Sequence, residues 1–136
     1  MFIADHEYRR RALHELYGGT MQAGIAPSSS HPIVFLFSGP QGEQYGYQDG
    51  WQPDGSYHYS GEGQRGDMVF AKGNKAIRDH VEQKRDIHLF EYTGKSGIVR
   101  YVGEMLYTGH YFRSAPDITG VIRQAIVFEL RRVQDQ

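Results

Sequence analysis

The apolar residues of this chain fall into short runs, and most of these runs alternate with polar residues. Ile33–Phe37 is apolar throughout and too short for a core helix, so it predicts a buried central strand. Asp86–Thr93 and Ile122–Val133 alternate apolar and polar residues, which is typical of strands with one buried face. Two further strands are predicted at Met68–Phe70 and Ile98–Tyr107.

Two other segments carry apolar residues at helical spacing. Asp5–Tyr17 predicts a helix that ends at Gly18–Gly19, and Asn74–Lys84 predicts a polar helix with Asn74 as its N-cap. The residues predicted to face inward from the second helix are Ala76, Ile77, His80 and Val81. Asp54–Gly55 is a turn signal and predicts a hairpin. Two helices and six or seven antiparallel strands predict an α+β fold, built as a partly open, curled barrel.

Composition narrows the class of protein. The 136 residues are enough for one domain with a single core, so we expect residues 1–136 to form one domain. There is no cysteine, which excludes disulfides and thiolate zinc sites, and no apolar run reaches transmembrane length. An intracellular, cytoplasmic protein is therefore expected. Because the net charge is −1, any nucleic-acid binding must depend on local basic groups.

The segment Tyr45–Gly73 concentrates the chemistry of the chain. It contains four tyrosines, the only tryptophan, several glycines and several carboxylates. Such side chains are poor core material because buried phenol, indole and carboxylate groups all need hydrogen-bond partners. They suit a flat, polar aromatic ligand, since rings cover its faces and a carboxylate accepts from an exocyclic amine. The alternatives are that Tyr57 and Tyr59 only pack on a strand face, and that Asp49 is a turn residue before Gly50.

A family pattern is visible in this segment. Tyr59–Gly63, preceded by Tyr47, Asp49 and Trp51 and followed by Gly73–Ala76, resembles the SRA (SET- and RING-associated) domain. That family carries Tyr…Asp…Tyr-Thr-Gly-Ser-Gly followed by Asn-Arg-Ala-Leu. The likeness is greatest to SRA-like modules of bacterial modification-dependent, HNH-linked (McrA-type) restriction systems. It implies a PUA-like curled barrel with two flanking helices that binds duplex DNA and flips 5-methylcytosine into a pocket.

The resemblance implies a role for each matching residue. Tyr59 is the second stacking tyrosine, the segment from Ser60 to Gly63 lines the methyl pocket, and Asp49 accepts from the cytosine N4 amine. The backbone of residues 59–61 is expected to donate to the ring nitrogen and carbonyl oxygen of the base. The spacing leaves the first stacking ring open between Tyr45, Tyr47 and Trp51. The predicted base-binding set is Tyr45, Tyr47, Asp49, Trp51, Tyr59, Ser60, Gly61, Glu62 and Gly63.

Glu62 departs from the family pattern, in which a small residue is commoner. A carboxylate at this position suits a more polar modification such as a hydroxymethyl group. Basic and hydroxyl side chains near the motif are predicted to contact the DNA backbone. These residues are Ser29, Ser30, His31, Arg65, Lys72, Lys75 and Arg78. For the basic run Arg9–Arg11, phosphate contact and a solvated helix face are equally compatible with the sequence.

The predicted function is that of a DNA reader without catalytic activity. No nucleophile elbow, phosphate loop or metal-ligand spacing occurs, so neither a metal nor a cofactor is predicted. Cleavage would require a nuclease domain or partner outside this chain, and no membrane contact is expected. Two alternatives are a PUA-like RNA-binding module that flips no base and a base hydrolase that uses Asp49 or Glu62.

Overall fold

The computed structural model describes residues 2–39 and 49–133. These two ranges contain eight strands and two helices. In chain order they are β1 (Glu7–Arg9), α1 (Arg10–Tyr17), β2 (Ile25–Pro27), β3 (Ile33–Ser38), β4 (Gly50–Trp51), β5 (Tyr57–Ser60), α2 (Lys72–Arg78), β6 (Asp86–Tyr92), β7 (Ile98–Pro116) and β8 (Ile122–Arg132).

All the described strands belong to one sheet in the order β2-β3-β6-β7-β8-β5-β4, and β1 pairs with the start of β7. The first part of β7 pairs with β6 and the remainder pairs with β8. The pairs are antiparallel except β3 with β6, which run parallel from Ile33↔Asp86 to Ser38↔Glu91. The chain between β3 and β6 contains the hairpin and α2, and such a long crossover is what a parallel pair requires. This curled, mostly antiparallel sheet with two helices confirms the predicted α+β class, and the sheet is not closed.

Two tyrosines of β5 connect the two ends of the curled sheet. The Tyr59 hydroxyl lies 2.9 Å from the carbonyl oxygen of Phe37 and 3.1 Å from that of Gly24. The Tyr57 hydroxyl lies 3.0 Å from Ser38 Oγ and 2.9 Å from a carboxylate oxygen of Glu91. Strand β5 therefore faces β3 and β6 across the interior, although three strands separate it from β3 along the sheet.

The core lies on both faces of β3. Val34 and Leu36 belong to a cluster with residues of β8 and α2, whereas Phe35 and Phe37 belong to a second cluster that contains Leu13 of α1. A strand that is covered on both faces needs apolar residues at consecutive positions. This explains why the sequence of β3 does not alternate.

The strand predictions are confirmed for β3, β6 and β8, and for the hairpin at Asp54–Gly55 that joins β4 to β5. The single buried face predicted for β6 and β8 is wrong, because Ile87–Phe90 and Ala125–Phe128 are buried at each position. The strand predicted at Met68–Phe70 is wrong, because these residues form a loop with one ladder-like bond from Met68 N to the carbonyl oxygen of Gln124 (2.9 Å). The strand predicted to end at Tyr107 continues to Pro116.

Both helices differ from their predicted bounds. The first begins at Arg10 because the preceding residues pair with β7. The second ends at Arg78, and Asn74 lies within it, so the N-cap prediction is wrong; the observed N-cap is Ala71. Because the chain leaves helical geometry at Asp79, Val81 is 63% exposed and does not face inward as predicted. The other three predicted inward residues are buried. No described helix is long and apolar enough to cross a bilayer.

Candidate functional site

A cavity of about 770 Å³ lies where the start of α1, the loop before β2, the end of β3 and the segment after β5 meet. This volume is within the range of small-ligand sites. The cavity wall brings together many of the predicted site residues. They are Asp49, Tyr59, Ser60, Gly61, Glu62, Gly63, Arg65 and Lys72.

Asp49 presents a carboxylate to this cavity. Its Oδ1 accepts a hydrogen bond from the Ser60 backbone N–H at 2.7 Å, and its Oδ2 accepts one from Ser38 Oγ at 3.3 Å. Burial raises the pKa of Asp49, although the hydrogen bonds from Ser60 and Ser38 oppose this shift. Because a carboxylate oxygen can accept two hydrogen bonds, Oδ2 retains capacity for a donor from a ligand.

Tyr59 forms part of the cavity wall while remaining 3% exposed. Its hydroxyl is held by two backbone carbonyl groups, as described above, and burial raises its pKa well above the ordinary value. The ring is therefore fixed in place and neutral. Its predicted stacking role stays a prediction.

The backbone N–H groups of residues 60–62, at the end of β5 and just beyond it, are engaged within the protein. Ser60 N donates to Asp49 Oδ1 (2.7 Å), Gly61 N to the Ile126 carbonyl oxygen (2.8 Å), and Glu62 N to Asn74 Oδ1 (2.8 Å). The expectation that Ser60 and Gly61 donate to a base through their backbone therefore does not agree with the structure. Gly61 is needed for close packing instead, because a Cβ there would lie 2.9 Å from Asn74 Oδ1 and 3.3 Å from Met68 Sδ.

Glu62 and Asn74 tie this segment to α2. Glu62 Oε2 accepts from the Gly73 N–H at 3.0 Å, and the Asn74 amide donates to the carbonyl oxygens of Glu62 (2.8 Å) and Val69 (3.0 Å). A Cβ on Gly73 would lie 2.8 Å from that Glu62 oxygen. The Gly-Asn pair of the motif thus has a structural role, and at least one Glu62 oxygen is engaged with the protein.

The start of β8 and the turn before it support the other side of the segment that follows β5. Arg123 Nη1 donates to the carbonyl oxygens of Gly63 and Gly66, each at 2.9 Å, and Asp117 Oδ2 accepts from the Gly66 N–H at 2.9 Å. Hydrogen bonds from Thr119 and from Gly66 hold the pKa of Asp117 well below its usual range. Sequence reasoning missed Arg123 and Asp117, since both act through residues that are distant along the chain.

Arg10 is a buried cation in the cavity wall that the sequence reasoning did not place there. It is 8% exposed, and its guanidinium carbon lies 3.8 Å from the centroid of the Phe37 ring. Its hydrogen-bond acceptors are His14 Nε2 (3.0 Å), the Tyr92 hydroxyl (2.8 Å), and the carbonyl oxygens of Thr20 (3.3 Å) and Ala23 (2.6 Å). Burial lowers the pKa of Arg10 and also that of His14. The only signal in the sequence was the basic run Arg9–Arg11.

The candidates for the first stacking ring are not gathered in the described part of the cavity. Trp51 is 45% exposed, does not line the cavity, and packs edge-on against Tyr57 at 5.2 Å between centroids. Arg132 lies 5.3 Å from the Trp51 ring centroid. Tyr45 and Tyr47 lie outside the described residues, so the choice among the three stays a prediction.

The seven predicted backbone-contact residues are all exposed. Arg65 and Lys72 line the cavity, whereas Lys75 and Arg78 lie on α2 outside it. Arg78 forms an ion pair with Asp79 at 2.7 Å. The serine–histidine loop is also separate from the cavity, and within it Ser30 Oγ lies 2.9 Å from His31 Nδ1. The structure thus places two of the seven at the cavity and five elsewhere.

Known proteins share this fold. In a structure of the sulfur binding domain and SRA domain of ScoMcrA complexed with phosphorothioated DNA, 41% of that chain superposes on 99% of this chain with a TM-score of 0.77 and 23% identity. The SUVH5 SRA domain in complex with hemi-methylated CG DNA gives a TM-score of 0.70 and 21% identity over 100% of this chain and 91% of that one.

A second ScoMcrA structure, described as a Type IV phosphorothioation-dependent restriction endonuclease, gives a TM-score of 0.77 and 23% identity over 99% of this chain and 29% of that one. The chain therefore spans less than half the length of the ScoMcrA chains that it matches. No curated protein sequence matches it. The family model described as "ScoMcrA-like, SRA domain" matches residues 4–136. By this match the chain belongs to the ScoMcrA-like SRA domain family.

Proposed function

We propose that this chain binds duplex DNA containing 5-methylcytosine or 5-hydroxymethylcytosine by extruding the modified base into the cavity. One observation carries the proposal: a single cavity contains the Asp49 carboxylate, the Tyr59 ring and the segment from Ser60 to Gly63. The complexes of related SRA domains with methylated and phosphorothioated DNA support the choice of ligand.

The chemistry of the cavity suits a cytosine. Asp49 Oδ2 accepts from the N4 amine while its other contacts hold the carboxylate in place. The Tyr59 ring covers one face of the base, and a stack of this kind contributes about 1–3 kcal/mol. Extruding the base costs a few kcal/mol. Arg65 and Lys72, which are exposed at the cavity, offset part of that cost by contacting the phosphates.

The chain acts as a recognition module rather than a nuclease. It spans 41% of the ScoMcrA chain that was solved with DNA, so other domains accompany the SRA domain in that protein. We infer that cleavage comes from an HNH domain or partner outside residues 1–136, and that the system works in the cytoplasm, where it meets foreign DNA.

A binding panel tests this proposal. One duplex carries cytosine, 5-methylcytosine, 5-hydroxymethylcytosine or N6-methyladenine at the same position, and affinity is measured by fluorescence anisotropy at one salt concentration. The modified cytosines should bind roughly tenfold to a hundredfold more tightly than cytosine. Equal affinity for all four duplexes would overturn the proposal.

A second measurement tests base extrusion itself. 2-Aminopurine next to the modified cytosine should brighten on binding, because its stacking partner leaves the helix. The same duplex with unmodified cytosine is the control. Tight binding to 5-methylcytosine without any brightening would show that the base is read inside the duplex.

A further inference from the structure

The acceptor groups of a cytosine need donors, and the N–H groups of residues 60–62 do not provide them. The Watson–Crick edge of cytosine presents one amine and two acceptors, the ring nitrogen N3 and the carbonyl oxygen O2. Asp49 serves the amine, but the N–H groups of Ser60, Gly61 and Glu62 are all engaged within the protein. A buried base with unpaired acceptors would lose free energy, so other groups in the cavity wall are needed as donors.

Arg10 and Tyr92 offer unused donors in the same cavity. A guanidinium has five N–H groups, and the acceptors of Arg10 among the described residues engage one on Nε, two on Nη2 and one on Nη1. The second N–H of Nη1 has no acceptor within residues 2–39 and 49–133. The Tyr92 hydroxyl accepts from Nη1, and its own proton has no acceptor in these ranges.

The buried charge of Arg10 also favours a ligand-binding role for this side chain. The side chain is 8% exposed, and it forms no ion pair with any carboxylate in the described part of the chain. A buried cation whose partners are all neutral is costly for a fold to retain. Such a group lining a cavity is a candidate for binding a ligand acceptor.

Asp49 and Arg10 reach the cavity through neighbouring residues at the end of β3. Ser38 donates to Asp49, and the Arg10 guanidinium lies 3.8 Å from the ring centroid of the adjacent Phe37. Phe37 and Ser38 face opposite sides of the sheet, so Arg10 and Asp49 approach the cavity at the end of β3 from different directions. An amine at one end and a carbonyl oxygen at the other is the arrangement on the edge of cytosine.

We propose that Arg10, together with Tyr92, donates hydrogen bonds to the carbonyl oxygen O2 of the extruded cytosine. This inference rests on the proposed function. It assigns the two ends of the base edge to different side chains, Asp49 for the amine and Arg10 for the oxygen. Thymine, which carries an oxygen in place of the amine, would face Asp49 with an acceptor and be rejected.

Exchange of one ligand atom separates this role from a structural one. Duplexes carrying 5-methylcytosine or 5-methyl-2-thiocytosine differ only in the O2 atom, and sulfur is a weak acceptor. Wild-type protein should bind the thio duplex roughly tenfold more weakly, as for loss of a hydrogen bond from a charged donor. In R10M the ratio of the two affinities should fall toward one, because one of the two proposed donors is gone and only the Tyr92 hydroxyl remains.

The ratio within each variant is the readout, so a general loss of stability or affinity does not imitate the result. Tyr92→Phe keeps the ring and the guanidinium and should reduce the ratio in the same direction. Asp49→Ala is the matched control: it weakens binding to both duplexes and should leave the ratio unchanged. A ratio in R10M and Tyr92→Phe equal to that of wild type would overturn the inference. If instead wild-type protein does not distinguish 5-methylcytosine from cytosine, the proposed function itself fails.

Discussion

Replacement of Asp49 by asparagine should weaken DNA binding without weakening the fold. The Ser60 backbone N–H, 2.7 Å from Oδ1, requires an acceptor, so it fixes which way the new amide points. The amide nitrogen then takes the place of Oδ2 beside Ser38, whose hydroxyl can accept as well as donate. One N–H of this amide would face the cavity, where the carboxylate offered a lone pair to the cytosine amine.

The magnitudes follow from these contacts. In Asp49→Asn the amide N–H would face the N4 amine of cytosine, and two donors cannot form a hydrogen bond. One base contact is therefore lost, which weakens binding by about 1–3 kcal/mol, or roughly fivefold to 150-fold in affinity. Stability should change in the other direction. Because burial raises the pKa of Asp49, the folded state holds its proton more tightly than the unfolded state does. At pH 7.5 the ionised carboxylate therefore costs stability, and the neutral amide avoids this cost.

Two measurements at pH 7.5 check this reasoning. Anisotropy titrations with the 5-methylcytosine duplex should show weaker binding by Asp49→Asn, and thermal melts should show an unchanged or higher Tm. Asp54→Asn is the matched control, because Asp54 lies in the exposed hairpin turn away from the cavity. Wild-type affinity in Asp49→Asn would refute the pocket assignment. A lower Tm together with weaker binding would mean that the carboxylate supports the fold rather than the ligand.

Three further predictions concern the core, the cavity wall and the outer surface. Burial lowers the pKa of His88 to about 4, so wild-type stability should fall by about 3 kcal/mol as the pH drops from 6.5 to 4. Thermal melts of His88→Gln should show a weaker dependence of stability on pH, and a dependence equal to that of wild type would contradict the lowered pKa of His88. Gly61→Ala should lower the free energy of unfolding, measured with a chemical denaturant, by about 1–3 kcal/mol, because the new Cβ would lie 2.9 Å from Asn74 Oδ1. Unchanged stability would show that the cavity wall shifts to accommodate the methyl group. Lys75→Ala should weaken binding to every duplex equally and reduce the salt slope by about one, whereas a changed base preference would exclude a phosphate role.

The local sequence pattern was sufficient to predict a strand where burial is uniform along that strand. β3 is apolar at each position from Ile33 to Phe37 because both of its faces are covered, and the apolar run Ala125–Phe128 of β8 is buried at each position for the same reason. The second half of β7 gave no such signal, because several of its residues between Tyr107 and Pro116 are exposed or half-buried. Its pairing with β8 is set by the hairpin rather than by its own hydrophobic pattern.

The cavity was predictable only in part for a related reason. Asp49 and Tyr59 belong to a short motif whose residues are close together along the chain. Arg10 joins the cavity through Tyr92, which is 82 residues away, and its burial depends on tertiary packing that no local window contains. A run of three arginines is usually solvated, so its central member could not be assigned to an interior position in advance.

The hydroxyl of Tyr59 explains why this wall of the cavity carries a phenol rather than a plain ring. Phenylalanine would cover a base equally well, but it could not span from β5 to the carbonyl groups of Phe37 and Gly24. The same side chain therefore acts as a strut across the open seam of the sheet. Ligand affinity and the width of the seam are consequently under the control of one residue, so selection on either property constrains the other.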